Sequence, residues 1–278
     1  MTALPANLLD IDAANPRRLP RALQDIAAGL RAWRLSWALA RLDLRNRYRG
    51  SVIGPFWMTL STAAMLVGLG LLYSRLLGIS LADYLPHLAV SLVTWNVIAG
   101  IVTDACTALT SADGVIRQMR LPYTTHALRC VFRNTLTAAH NIPLLFVVLL
   151  IFNHWPGAEV LLLIPGLLIL LVNALAAALL LGMLCARFRD IAQIVANVMQ
   201  LAFFLSPVIW KADQLTGYWA SLLPLNPFYD LLEVVRGPLV SGGGSAMAWL
   251  GAVLYTAAAV VIALAFFVRF RGRLAFWV

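Results

Sequence analysis

Three arginines stand close together, Arg45, Arg47 and Arg49, in the stretch RNRYRGS directly before an apolar run that begins VIGPFW. Guanidinium groups form paired hydrogen bonds with phosphate oxygens, so this spacing suits a phosphate or pyrophosphate head group. Tyr48 and Gly50 belong to the same stretch. The sequence therefore predicts a cationic segment at the membrane interface, which either holds the chain there or meets a phosphate-bearing lipid.

Motifs for nucleotide binding and hydrolysis do not occur in the sequence. There is no GxxxxGK[ST] loop, and neither HExxH nor GxSxG is found. The four histidines are scattered among predicted helix ends and spans, which favours interfacial or packing roles: His87, His126, His140 and His154. We expect no catalytic residue, no metal site and no cofactor on this chain. It is then either a passive channel or one half of a machine powered elsewhere.

The composition is typical of a membrane protein. Of the 278 residues, 62% are hydrophobic and 12% are charged, whereas soluble domains are about half apolar and about a quarter charged. The net charge of +9 is better explained by lipid head groups and topology than by nucleic acid, because apolar runs of membrane length are present. The three cysteines lie far apart, which indicates packing rather than zinc binding or disulfides: Cys106, Cys130 and Cys185.

Six apolar segments approach the length of about 20 residues that a helix needs to cross a bilayer. They are residues 52–77, 88–108, 135–152, 160–185, 191–209 and 249–268, of which the fifth is interrupted by polar residues and Pro207. Eighteen of the 21 Lys and Arg residues fall on one side of this topology, and the exceptions are Arg75, Lys211 and Arg236. The bias requires all six crossings and places both termini in the cytoplasm. The first 29 residues lack the apolar centre of a signal peptide.

Asp104 is the one acidic residue within a predicted apolar run. An arginine at mid-bilayer costs roughly 2.5 to 3.5 kcal/mol, so we place Arg129 and Arg133 at the membrane rim and begin the third span after them. A short connection joins the second and third spans, which makes either arginine a candidate partner of Asp104. The alternative is that Asp104 reaches the interface by itself.

Residues 30–45 predict an amphipathic helix in the membrane interface, with tryptophans at the head-group boundary. Its arginines fall within one arc of the helix: Arg31, Arg34, Arg41 and Arg45. Leu35, Leu39 and Leu42 form a second apolar face, so one side is expected to pack on protein; an ordinary soluble helix is the alternative. Residues 1–29 form a cytoplasmic N-terminal segment in this interpretation.

Two connections carry further signals. Residues 111–129 combine a turn, a short amphipathic stretch and a breaker at Pro122, which fits either a docking element for a cytoplasmic partner or a loop. Residues 210–240 are rich in aromatic side chains and broken by prolines. They predict short helices that re-enter the outer leaflet between spans five and six. The fold class is all-α integral membrane protein.

Five motifs follow one another in a specific order: RYRGSVIGPFW (47–57), IRQMRLP (116–122), ARFRDI (186–191), FFLSPVIW (203–210) and LNPFYDLLEVVRGPL (225–239). In combination they resemble the membrane subunits of type 2 ABC exporters that secrete lipid-linked polysaccharides such as O-antigen, capsule and teichoic acid. The resemblance runs from about residue 33 to the end of the sequence.

The resemblance implies a permease subunit and not an enzyme. It implies a homodimer in the bacterial inner membrane that works with two copies of a cytoplasmic ABC ATPase, which alone binds ATP and Mg²⁺. The substrate would be a lipid-linked glycan. Membrane lipids would surround the chain, and nucleic acid would not be a partner. Residues 30–51 would form the interfacial helix and a gate helix (about 45–53), and residues 52–278 the six-span domain. The coupling helix (about 113–122) would dock the ATPase through Asp113, Ile116, Arg117, Arg120 and Pro122.

The same resemblance places the first and fifth spans along the translocation channel. Rings would stack on sugar faces there and amides would bind hydroxyl groups, at Phe56, Trp57, Tyr73, Asn197, Gln200, Phe203, Phe204 and Trp210. The alternative is that these rings form the aromatic belt of the membrane interface.

Two other functions stay open from the sequence. One is an exporter of drugs or small lipids of the same superfamily, which usually lacks the RYRGS and SPVIW pairing. The other is an intramembrane glycosyltransferase or hydrolase, for which no acidic or nucleophilic constellation occurs.

Overall fold

The computed structural model describes residues 18–119 and 121–278, apart from the side chain of Arg117. Over these residues the regular structure is helical, without a β-strand. The α-helices are α1 (Arg18–Arg31), α2 (Trp33–Arg47), α3 (Phe56–Leu77), α4 (Leu81–Ala105), α5 (Asp113–Gln118), α6 (Tyr123–Ala139), α7 (Ile142–Ile151), α8 (Leu163–Arg187), α9 (Asp190–Leu205), α10 (Tyr218–Leu222), α11 (Pro227–Val240), α12 (Ala246–Phe270) and α13 (Leu274–Trp277). The predicted all-α fold class is confirmed.

Five helical stretches within the described residues are long and apolar enough to cross a membrane: Phe56–Leu77, Leu81–Ala105, Tyr123–Ile151, Ala158–Arg187 and Ala246–Trp277. The predicted fifth span corresponds to α9, whose 16 residues are apolar but shorter. At 1.5 Å per residue α9 is about 24 Å long, less than the hydrocarbon core of about 30 Å. It ends because Ser206 precedes Pro207 and is extended. The count of six crossings stays a prediction.

Helix α6 begins at Tyr123 and therefore contains Arg129 and Arg133, whereas we expected the span to begin after them. Helix α6 ends at Ala139, and α7 restarts at Ile142. Pro143, near the start of α7, has no N–H with which to continue the α6 hydrogen-bond ladder. The hydroxyl of Thr59 in α3 donates a hydrogen bond of 2.8 Å to the carbonyl oxygen of His140 at this break.

Helix α4 is the central element of the bundle. All residues from Pro86 to Trp95 are buried, and α4 packs against α3, α6, α8 and α11. The approach of α3 is close because Gly70 has no side chain. A Cβ atom at Gly70 would lie 2.6 Å from the Cδ2 atom of Leu85. The core therefore forms around α4, and the shorter helices are arranged against it or its neighbours.

Helices α1 and α2 pack against α6. Helix α1 lies inside the predicted N-terminal segment, and residues 1–17 of that segment are outside the described residues. In α2 the buried side consists of Ser36, Ala40 and Leu44, whereas Leu35 and Leu42 are exposed. Leu39 is half-buried. One side of α2 therefore packs on protein, as expected, but it is the side of Ser36, Ala40 and Leu44 rather than that of Leu35 and Leu42. The starts of α2 and α6 and the ends of α8 and α12 lie at one end of the bundle, which we call the arginine-rich end.

Helix α11 fills much of the predicted re-entrant segment. Its residues from Tyr229 to Pro238 are buried, and it packs against α4, α8 and α12. Asn226 caps the helix, since its side-chain oxygen accepts a hydrogen bond of 3.0 Å from the backbone nitrogen of Phe228. Pro227 thus starts a short helix, whereas Pro238 lies inside α11 without ending it. Entry into the outer leaflet stays a prediction.

Candidate functional site

The chain between α2 and α3, residues 48–55, forms turns. We name residues 45–55, which include the last three residues of α2, the arginine turn. The gate helix expected over 45–53 is wrong, because α2 ends at Arg47 and α3 begins at Phe56. Gly50 and Gly54 have φ angles of 85° and 60°, which a right-handed helix does not allow. The hydroxyl oxygen of Ser51 accepts a hydrogen bond of 3.0 Å from the backbone nitrogen of Gly54. The two glycines therefore redirect the chain from α2 into α3.

The arginine turn presents its charges to the surroundings. Arg45, Arg47 and Arg49 are exposed, and Tyr48 is half-buried. Among the described residues these three arginines form no ion pair with a carboxylate. Val52, a few residues further on, is fully exposed. Uncompensated guanidinium groups beside an exposed apolar side chain fit the head group and first methylenes of an anionic lipid.

A cluster of arginine and aspartate side chains fixes α2 to the bundle. The Nε atom of Arg129 donates to Oδ2 of Asp43 in α2 at 2.6 Å. Arg133 bridges both carboxylates, with Nη2 3.0 Å from Oδ2 of Asp104 and Nη1 3.4 Å from Oδ2 of Asp43. Asn134 also donates to Asp104, at 3.0 Å. Of the two predicted candidates, the partner of Asp104 is therefore Arg133, and both arginines of α6 are compensated by carboxylates.

Asp25 fixes α1 in a similar way, and the sequence reasoning missed it. Its carboxylate, on a residue that is 3% exposed, accepts hydrogen bonds from the backbone nitrogens of Tyr123 and Thr124 at 3.3 and 3.1 Å. It also accepts from the Thr124 hydroxyl at 2.9 Å and from Nε of Arg271 at 2.9 Å. A carboxylate at a helix start satisfies free N–H groups and complements the helix dipole. The amphipathic pattern of residues 18–31 indicates a helix that packs on one side, but it does not identify the partners of Asp25.

The candidate channel residues of α3 lie near both ends of that helix. Phe56 and Trp57 are more than half exposed, and Tyr73 is half-buried. The Phe56 ring meets the edge of the His140 ring, with centroids 5.6 Å apart. The buried residues of α3 recur every four positions and form the side that faces the bundle: Thr62, Leu66, Gly70 and Ser74. The first two rings therefore stand on the exposed side of the helix.

Helix α9 carries a row of amide side chains on its exposed side. Gln193, Asn197 and Gln200 are all exposed, at spacings of four and three residues. The Nε2 atom of Gln193 donates to Oδ1 of Asn197 at 3.4 Å. Met199 and Ala202 are the buried residues of the helix. We call these three side chains the amide row; Gln193 adds to the two residues that the sequence identified.

The aromatic residues at the end of α9 lie together. The Phe203 ring is 5.7 Å from the Trp95 ring and 5.2 Å from the Phe204 ring, between centroids. The indole nitrogen of Trp210 donates to the carbonyl oxygen of Phe204 at 3.2 Å. In the described part of the chain, no ring of α3 stacks on this group. The structure therefore joins Phe203, Phe204 and Trp210 and leaves Phe56, Trp57 and Tyr73 apart from them.

The predicted docking segment forms helix α5 at the arginine-rich end. Asp113 begins the helix, and Ile116 packs against the core cluster that contains Leu109 and Ala127. Pro122 directly precedes α6, so α5 is joined to that helix by a short connection. Arg120 and the side chain of Arg117 lie outside what the structure describes.

At the opposite end, Arg236 of α11 is buried, which the sequence reasoning did not foresee when it placed this residue outside the spans. Its guanidinium group donates to the Glu233 carboxylate, with Nε at 3.1 Å, and to the Ser91 hydroxyl at 3.1 Å. It also donates to the carbonyl oxygen of Pro207 at 2.6 Å and lies 3.4 Å from the His87 ring nitrogen. One side chain thus connects α11, α4 and the segment after α9.

A cavity of about 770 Å³ opens beside Arg236. Its lining carries charges of both signs, on residues that include Asp83, His87, His154, Lys211, Asp213, Glu233 and Arg236. Within the described residues, no group of three His, Cys, Asp or Glu side chains is arranged to hold a metal ion. The cavity is therefore a water-accessible recess between α4, α11 and the two neighbouring connections.

Known proteins are similar to this chain over the region that contains the residues described above. Residues 34–240 match the family model described as ABC-2 type transporter. An O-antigen export system permease protein RfbA of Myxococcus xanthus is 26% identical over 197 residues, which cover 70% of this chain and 76% of that protein. A protein of the same name from Klebsiella pneumoniae is 20% identical over 201 residues, 72% of this chain and 78% of that protein. The matched family region includes the arginine turn, α5, the amide row and Arg236.

Proposed function

Because this chain belongs to the ABC-2 type transporter family, we propose that it is the permease subunit of an ATP-driven exporter of lipid-linked polysaccharide, such as O-antigen. The chain is a multi-pass membrane protein and a transport subunit. The observation that carries the choice of a glycan is the amide row, which continues along α9 into the aromatic residues Phe203 and Phe204.

Amide groups are unfavourable against lipid tails, because hydrocarbon offers them no hydrogen-bond partner. Gln193, Asn197 and Gln200 are exposed on one subunit, so they gain partners if this side of α9 faces a hydrated path. Sugar hydroxyl groups both donate and accept hydrogen bonds, and aromatic rings pack against the apolar faces of sugars. A homodimer in which α9 and α3 of two copies enclose such a path accounts for both exposed sides.

The arginine turn supplies the place for the lipid end of the substrate. Arg45, Arg47 and Arg49 lie next to the start of a membrane-spanning helix and carry uncompensated charge. A lipid carrier linked to the glycan by pyrophosphate would be held by such a group at the membrane surface. The turn would then select the carrier head group, and the glycan would follow along α9.

Energy for transport would come from a separate subunit. The sequence has no GxxxxGK[ST] loop, so ATP and Mg²⁺ would be bound by a cytoplasmic ABC ATPase, in two copies for each homodimer. Helix α5 would dock this ATPase, with Gln118 exposed and available to a partner. We place the chain in the inner membrane with the arginine-rich end in the cytoplasm, since eighteen of its 21 basic residues fall on that side.

The test of glycan export uses a strain from which the gene for this chain is deleted. We expect surface polysaccharide to disappear and lipid-linked glycan to accumulate inside the cell, and re-expression of the full chain to reverse both changes. Surface polysaccharide is measured with antibody on intact cells, and the lipid-linked pool by extraction. Normal surface polysaccharide in the deletion strain would exclude the proposed substrate.

The docking of the ATPase is tested by photo-crosslinking. A benzophenone amino acid in place of Gln118, exposed on α5, is expected to crosslink to the ATPase in cells. The same amino acid in place of Gln214, exposed at the opposite end, is the matched control and should give no such product. Crosslinking at Gln214 but not at Gln118 would reverse the proposed orientation.

A further inference from the structure

A basic and aromatic pocket lies between α8 and α12 at the arginine-rich end, where α13 packs on α8. Its volume is about 320 Å³. Two arginines and four aromatic rings form most of its lining: Arg187, Arg273, Phe188, Phe266, Phe270 and Trp277. The pocket thus combines cationic and apolar surface in one recess, and the proposed glycan path does not use it.

The rings hold the cation of Arg187 in place. Its guanidinium carbon lies 5.6 Å from the Phe188 ring centroid and 5.6 Å from the Trp277 ring centroid. The Phe270 ring is 5.5 Å from the Trp277 ring. Neither Arg187 nor Arg273 forms an ion pair with a carboxylate of the described residues, and both are exposed. The positive charge is therefore positioned but available to an anion from outside the chain.

The position of the pocket along the bundle points to the lipid phosphate level. Arg187 ends the membrane-length stretch Ala158–Arg187, and Trp277 ends the stretch Ala246–Trp277. Arginine and tryptophan at the ends of membrane helices lie among the lipid head groups. Apolar side chains of α8 and α12, such as Met183 and Phe266, continue the pocket from that level toward the membrane interior.

We propose that this pocket is a binding site for an anionic phospholipid of the surrounding membrane. The lipid phosphate is held by Arg187 and Arg273, and the first part of an acyl chain lies against Phe266 and Phe270. Charge complementarity favours an anionic over a zwitterionic head group, and the continuous apolar lining favours a lipid over a polar protein surface. The inference rests on the membrane location of the chain and not on the identity of the exported glycan.

The test measures phosphatidylglycerol bound to the full chain by native mass spectrometry, with phosphatidylcholine as competitor. We expect the wild-type chain to retain phosphatidylglycerol selectively. The double variant Arg187→Gln, Arg273→Gln should bind it about 30-fold more weakly at low salt, since each arginine near a charged head group contributes about 1 kcal/mol. The matched control is Arg269→Gln, an exposed arginine of α12 that does not line this pocket, and its binding should stay unchanged.

Four outcomes would overturn the proposal. Equal retention of phosphatidylglycerol by the double variant, or an equal loss in Arg269→Gln, would show that the pocket arginines are not the site. Displacement of phosphatidylglycerol by an equimolar polyprenyl phosphate would assign the pocket to the substrate carrier. Unchanged lipid binding with loss of ATPase co-purification would assign the surface to the protein partner. If the double variant fails to fold, Trp277→Phe replaces it, because this change keeps both charges. It should reduce the quenching of tryptophan fluorescence by brominated phosphatidylglycerol.

Discussion

The Nη1 atom of Arg236 lies 2.6 Å from the carbonyl oxygen of Pro207, so a side chain of α11 holds the backbone at which α9 has just ended. The same guanidinium group pairs with Glu233, and both side chains are buried. We expect Arg236→Met to lower the free energy of unfolding by about 3 to 5 kcal/mol, because it leaves the Glu233 carboxylate buried without its partner. Unfolding of the purified chain in detergent measures the change.

Arg75→Met is the matched control for this prediction. Arg75 lies at the same end of the bundle but is exposed, and among the described residues it forms no ion pair. Its substitution should change the free energy of unfolding by less than about 0.5 kcal/mol. Equal effects of the two substitutions would mean that the Arg236 contacts do not stabilise the fold.

Gly29 provides a test of how α1 is packed. A Cβ atom at this position would lie 2.6 Å from the Cβ atom of Thr124 in α6. Gly29→Ala should therefore displace α1 from α6 and lower the free energy of unfolding by about 1 to 3 kcal/mol. Gly68→Ala is the control, since no atom lies within 4 Å of its Cβ and alanine favours the helix by up to about 1 kcal/mol. Hydrogen exchange of α1 measures the displacement, and an unchanged exchange rate in Gly29→Ala would contradict the packing.

The arginine turn is tested by replacing both Arg47 and Arg49 with alanine. We expect glycan export to fall and the dimer and its ATPase to assemble normally, because both side chains are exposed and the turn would lose about 2 kcal/mol of attraction for an anionic head group. Surface polysaccharide and co-purification are the two measurements. Arg31→Ala with Arg34→Ala removes the same charge from exposed positions outside the turn and should affect export less. An equal loss of export in the two double variants would mean that only the overall surface charge matters and not its position in the arginine turn.

The amide row is tested by Asn197→Leu together with Gln200→Leu. Both side chains are exposed, so the folded amount of protein should stay the same or rise, while export falls because the hydroxyl groups of the glycan lose their partners. Ile194→Leu, exposed on the same helix, is the control and should export normally. Normal export by the double variant would place the glycan path elsewhere.

The family was predicted from motifs whose order along the chain is specific, and the match over residues 34–240 confirms it. Five of the six apolar stretches correspond to helices of membrane length, because hydrophobicity over some 20 residues depends on composition alone. The point at which α6 enters the membrane stays a prediction. The sequence did not reveal that Arg129 pairs with Asp43, because that partner lies 86 residues away in the chain. The burial of Arg236 was missed for the same reason, since Ser91 and Pro207 are distant in sequence.

The contacts of α6 connect two regions that lie far apart in the sequence. Helix α5 leads into α6 through Pro122, and α6 holds α2 through the Asp43 carboxylate, which receives hydrogen bonds from two arginines. Helix α2 in turn ends at the arginine turn. These contacts therefore connect α5 with the three exposed arginines of the arginine turn. If α6 tilted and α2 did not move with it, both ion pairs of Asp43 would break.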